Sequence, residues 1–139
     1  MKYLETPFEG NVTIQIQNGR RKDYIDCELA TSEIEIFQSA SFRKRHQFKK
    51  PLVLMFLNPL VQAFTVQQFH FDVVQICVGY EKNLVSKVSY IPAFKGKGTF
   101  IQCFSGFSMV IFLEPQHSVV NKIVVDKTKI SLNATKPND

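Results

Sequence analysis

Val12-Thr13-Ile14-Gln15-Ile16-Gln17 alternates apolar and polar residues without a break, and Asn18-Gly19 follows at once. Period-2 alternation is the signature of a strand with one buried face. Asn-Gly tolerates the positive φ of a tight hairpin turn. The spacing therefore predicts a strand over 12–16 and a return strand over Tyr24 to Leu29, with Arg20, Arg21 and Lys22 at the turn.

Working outward, Thr31-Ser32-Glu33-Ile34-Glu35 carries a capping box, in which Ser32 caps and Glu35 stands three residues on. It predicts one short helix over about 32–41, since Ser39, Ser41 and a basic run discourage extension. Beyond Pro51 the pattern returns to strands: Leu52 to Leu57, Ala63 to Phe71, Asp72 to Val78, Leu84 to Tyr90, Thr99 to Phe104 and Met109 to Leu113. Asn58-Pro59, Gly79 to Asn83 and Ser105-Gly106 supply the breaks. Pro115 to Asn121 reads as a short turn or helix, and Ile123 to Val125 with Thr128 to Leu132 as a closing strand pair.

The fold class expected is α+β, predominantly β: a compact single-domain antiparallel sheet, barrel-like or sandwich-like, with one short helix near residues 32–41. A chain of 139 residues allows one domain, expected over 1–132, with 133–139 as a frayed tail.

Composition excludes more than it identifies. With 45% hydrophobic and 21% charged residues the chain is an ordinary globular one, and its 13 Phe against no Trp make the core Phe-rich. Lys plus Arg outnumber Asp plus Glu by 17 to 12, a formal +5 that suits an anionic neighbour. Three Cys without a C-x-x-C exclude a disulfide framework and a Cys-based zinc site, so Cys27, Cys77 and Cys103 read as small buried hydrophobes. The N-terminal stretch lacks an apolar h-region and no apolar run is long enough to span a bilayer. The chain as given is expected in the cytoplasm; a mature exported domain without its leader would read identically.

Residues Glu28 to Gln68 resemble a bacterial and archaeal family, domain-of-unknown-function family 192. Its pattern runs V-E-L-A-D-T-P-E-E-R-A-R-G-L-M-F-R-K, then G-M-L-F-V-F-P-x-P, then F-W-M-K-N-T-x-x-P-L-D. Glu28-Leu29-Ala30 stands at the first block, Ser32 at its helix-capping Thr, and Phe42-Arg43-Lys44 at F-R-K. Leu54, Phe56 and Pro59 match the second block and Phe64 the Phe of the third, while Phe69 to Asp72 falls at x-P-L-D. Val110 to Pro115 resembles the family's late strand. Ser39 and Pro51 stand at two family Gly positions, and Thr65, Gln68 and His70 replace its Trp, Asn and Pro. The resemblance implies a small β-rich domain, often exported, and no established activity.

Three functional readings follow. The first is a binding or interaction module for an unknown small ligand or protein. Its candidate pocket gathers Phe64, Gln67, Gln68, His70 and Asp72 with Arg43 nearby, an aromatic floor with convergent polar groups. The second is a basic nucleic-acid-binding barrel using Arg20, Arg21 and Lys22 with the run Arg43, Lys44, Arg45, Lys49 and Lys50, where Phe42 and Phe48 are interleaved. About five phosphate contacts would give a slope of log K against log salt near −3.5 to −4.5. The third is a small metal-dependent or hydrolytic enzyme around His70 and Asp72, two residues apart on one strand face. No nucleophile elbow, phosphate loop, dinucleotide fingerprint or zinc-protease motif is present, so no catalytic residue, metal ligand or cofactor is named.

Overall fold

The computed structural model describes residues 10–30, 50–55, 63–66, 69–93, 99–102 and 107–133. The alternating stretch forms β1 (Gly10–Asn18), and its return strand is β2 (Arg21–Ala30). Val12, Ile14 and Ile16 are buried, whereas Thr13, Gln15 and Gln17 face outward. The turn centres on Gly19-Arg20, because Asn18 pairs with Arg21. Gly19 takes φ of 62° at the first central position, where a residue with a Cβ is disfavoured.

The remaining strands are β3 (Leu52–Met55), β4 (Ala63–Val66), β5 (Val73–Gly79), β6 (Val85–Ile91), β7 (Thr99–Gln102), β8 (Phe107–Leu113) and β9 (Lys129–Leu132). Seven of them make one sheet in the order β6-β5-β8-β3-β2-β1-β9, and β4 pairs with β7 in a separate antiparallel ladder. The domain is predominantly β. Within the sheet, β2 and β3 run parallel and every other pair is antiparallel, so the sheet is mixed where an antiparallel one was expected. Residues 31–51 separate these two strands, a connection long enough for a parallel crossover. The expected helix over 32–41 falls outside the described residues.

Two strand types account for the layering. In β3, β5 and β8 apolar residues face both sides of the sheet, with Gln75 of β5 as a buried polar exception. Val53, Val74, Ile76, Val78, Met109, Ile111 and Leu113 enter one core cluster, while Leu52, Leu54, Val73, Cys77, Val110 and Phe112 enter the other. Such continuous apolar runs belong to strands covered on both sides. On the second face Phe69 and Phe71 cover the sheet. The Phe69 ring lies 5.0 Å from that of Phe112, edge-on at 66°, and 5.4 Å from that of Phe71. Aromatic pairs of this geometry add about 0.5–1.5 kcal/mol beyond area burial. By contrast β1 and β9 give only their inward residues, such as Ile14 and Ile130, to the first cluster. Their other face is polar and turned to solvent.

The sheet curls until its ends touch without closing. Leu84 bridges Lys129, Val85 N–H donates to Thr128 C=O at 2.9 Å, and Asp126 N–H donates to Val85 C=O at 2.8 Å. Ile130 N–H donates to Asn83 C=O at 2.9 Å. No ladder joins β6 to β9, so the barrel expectation is corrected to an open, curled sheet. Asn83 (φ 57°) and Asp126 (φ 67°), both at this seam, are left-handed, a conformation that Asn and Asp tolerate best among residues with side chains.

Other expectations change too. Ile123 to Val125 is not a strand; a 3-10 helix (Ser118–Lys122) and a turn occupy that region, and β9 pairs with β1 instead. Val119, Val120 and Ile123 pack against the end of the first cluster, whereas Val124 and Val125 are exposed. Residues 69–72 form a bend rather than the end of a long strand. Asn133 N–H donates to Thr13 C=O at 2.8 Å, so the ladder's order runs one residue past Leu132. Cys27 is a free, buried thiol as expected, whereas Cys77 is buried and disulfide-bonded. An odd cysteine count excludes full pairing, not one bridge beside one free thiol. Beside Cys77, the buried Gln75 donates its amide to the Cys77 sulfur at 3.4 Å, and among the described residues its Oε1 has no partner.

Candidate nucleic-acid interface

The residues singled out in the sequence do not all meet. Phe64 lies on β4, paired with Ile101 of β7. Gln67, Gln68 and Arg43 fall outside the described residues. His70 and Asp72 are exposed, while Phe69 and Phe71 are buried in the second cluster. Both Asp72 oxygens are engaged: Oδ2 accepts from the Tyr90 hydroxyl and Oδ1 from Ala93 N–H at 2.8 Å. This carboxylate ties the exit of β6 to the entry of β5, the work of a structural staple. The bond to Asp72 also pushes the Tyr90 hydroxyl above its usual pKa of 10.0.

Of the basic run, Arg43, Lys44, Arg45 and Lys49 fall outside the described residues. Lys50 donates to Asn11 Oδ1 at 2.8 Å. Asn11 and the hairpin turn lie at opposite ends of β1, about 23 Å apart for seven strand residues. Lys50 and Arg20 thus do not share a patch.

The topology supplies other partners for Arg20, Arg21 and Lys22. On the outer face, Lys22 pairs across the ladder with Gln17, and Gln17 pairs on its other side with Lys129. These three residues form one cross-strand row, its two lysines about 10 Å apart at two strand spacings. The next row is Tyr24, Gln15 and Ser131. The third holds Asp26 and Thr13, whose hydroxyl donates to Asp26 Oδ1 at 2.9 Å. Lys122 reaches Asp23 Oδ1 at 3.5 Å, and Arg21 lies 3.4 Å from Asp23 Oδ2. Lys127 precedes Thr128, which is bonded to Asn18 of the hairpin, and Lys82 lies in the turn whose Asn83 bonds β9.

Four chain segments therefore bring Arg20, Arg21, Lys22, Lys82, Lys122, Lys127 and Lys129 to one end, against Asp23, Glu81 and Asp126. Among the described residues, Arg20, Lys22, Lys82, Lys127 and Lys129 have no carboxylate partner, and all five are exposed. Cations unneutralised by neighbours in this way attract a polyanion. The sequence offered half of this patch in Arg20 to Lys22. The other half is scattered singly through the chain, and only the β1–β9 register collects it.

No family model matches the chain, and no curated protein matches it. Two solved structures share the fold. A protein of unknown function from Novosphingobium aromaticivorans DSM 12444 superposes with a TM-score of 0.67 at 15% identity, covering 87% of this chain and 84% of that one. A protein from Sinorhizobium meliloti 1021, described as a "putative transcription regulator", superposes with a TM-score of 0.67 at 9% identity, covering 91% and 97%. At such identities the likeness establishes the fold alone, that of a predominantly β domain. Among the described residues no helix is long and apolar enough to cross a membrane.

Proposed function

We propose that this chain is a small binding module for nucleic acid and that the basic end of its sheet is the working surface. The observation that carries the reading is the row Lys22–Gln17–Lys129, with Arg20 at the adjoining turn and Lys82 and Lys127 beside it. Phosphate binding needs positive charge held at a defined spacing on an accessible face, and a ladder fixes spacing better than a loop does. The regulator description of the Sinorhizobium meliloti neighbour is in keeping with it. The rival pocket around Phe64 to Asp72 has less support, since both Asp72 oxygens already accept hydrogen bonds. The test is binding of a labelled oligonucleotide by fluorescence anisotropy over a range of salt. Affinity that falls steeply with salt supports the module, and no binding at low salt refutes it.

We further propose kinship with domain-of-unknown-function family 192. Its support is that Glu28-Leu29-Ala30 closes β2, Leu54 lies in β3, Phe64 in β4 and Val110 to Leu113 in β8. A crystal structure without a helix starting at Ser32 would count against it.

A further inference from the structure

On the outer face of β2–β1–β9 one large ring stands among the cations. Tyr24 is 52% exposed and sits one row from Lys22 and Lys129. Its hydroxyl donates to Gln15 Oε1 at 3.4 Å, and Gln15 is its direct cross-strand partner. That contact brings the hydroxyl end to β1, and about half of the side chain stays open to solvent. An exposed tyrosine is ordinarily a minor loss, because its apolar body stays wet. Among the described residues its ladder neighbours on that face are all polar: Gln15, Ser131, Thr13, Asp26, Lys22 and Gln17.

We infer that Tyr24 is a base-stacking platform and that the nucleic acid bound at the basic end is single-stranded. The inference rests on the nucleic-acid reading and deepens it. A duplex keeps its bases stacked inside, so a ring on an open sheet face is of use only to a strand whose bases are free to turn outward. The backbone lies along the Lys22–Gln17–Lys129 row, where the charge is. One base then turns onto the Tyr24 row, and Asp26 bounds the surface on the far side by repelling phosphate. Gln15 and Ser131, the row partners of Tyr24, offer hydrogen bonds to a base edge without demanding one base.

The test uses the full chain and two labelled strands about twelve nucleotides long, within the usual single-strand site size. One is oligothymidine and the other has the same backbone with abasic residues. The wild-type protein binds oligothymidine roughly tenfold more tightly than the abasic strand, the size expected for one stacked base. Tyr24→Ala abolishes that preference and leaves affinity for the abasic strand unchanged, while Tyr24→Phe, which keeps the ring, retains it. Equal wild-type affinity for both strands, a preference that survives Tyr24→Ala, or a duplex bound as tightly as the single strand would overturn the inference while leaving phosphate binding intact. Failure to bind either strand would overturn the underlying nucleic-acid reading as well.

Discussion

Thr128 and Asn18 are 110 residues apart in the chain, and the Thr128 hydroxyl donates to Asn18 Oδ1 at 2.6 Å. Thr128 is fully buried, and the same oxygen accepts Val124 N–H at 2.8 Å. One hydroxyl thus fastens the first hairpin's turn to the segment that leads into the last strand. It holds together the two halves of the basic end.

Thr128→Val keeps the shape and removes these bonds, together with the longer contact to Lys122 C=O at 3.4 Å. A buried donor left unpaired costs about 1–3 kcal/mol, so the midpoint of chemical unfolding falls measurably. An unchanged midpoint would show that this bond does not hold the seam.

How far this arrangement is legible in the sequence depends on the range of the signal. The first hairpin with Gly19 at its turn and the apolar runs of β3, β5 and β8 are local patterns, and alternation, turn chemistry or composition reveals them. Thr128, Asn18, Lys82 and Lys129 carry no local mark of their partnership, since only the β1–β9 register brings them together. Ile123 to Val125 misled because only Ile123 packs against the core, while Val124 and Val125 lie exposed in and beside a turn. Asp72 drew notice as a site residue through its spacing from His70, yet its spacing from Tyr90 and Ala93, 18 and 21 residues on, sets its structural part.

Asp72→Ala releases Tyr90 and Ala93 together. We expect a lower thermal midpoint and unchanged oligonucleotide affinity, because Asp72 is remote from the Lys22–Lys129 row. The raised Tyr90 pKa favours the neutral phenol, so this link's contribution is complete below pH 10.0 and fades as pH rises through the folded-state value. The alanine variant therefore shows a weaker stability loss on the alkaline side. Loss of oligonucleotide binding with an intact fold would return Asp72 to the binding site.

Burial, with Asp26 adding and Lys50 opposing, pushes the Cys27 thiol from 9.0 up to about 12. The thiolate is the reactive form, so native Cys27 resists alkylation at pH 8 and reacts on unfolding. The buried neutral thiol contributes stability that is whole below pH 9.0 and lost as pH climbs towards 12. Mass spectrometry after iodoacetamide treatment reads this directly, and rapid native labelling at pH 8 would contradict it.

Gln75 carries a buried carbonyl oxygen that has no partner among the described residues. Gln75→Met has similar volume and no polar atom to leave unsatisfied, so it raises stability by about 1 kcal/mol in chemical unfolding. A loss of stability would mean that the amide's bond to the Cys77 sulfur outweighs the orphaned oxygen.

The most direct measurement is the salt dependence of oligonucleotide binding for the wild type and for Lys22→Ala/Lys129→Ala. Five engaged cations give a single-strand slope of log K against log salt of about −3.5. Removing the two lysines of the row lowers its magnitude by about 1.4. The account predicts both values with the fold intact by circular dichroism. Binding that is independent of salt, or a slope unchanged in the double variant, would contradict it.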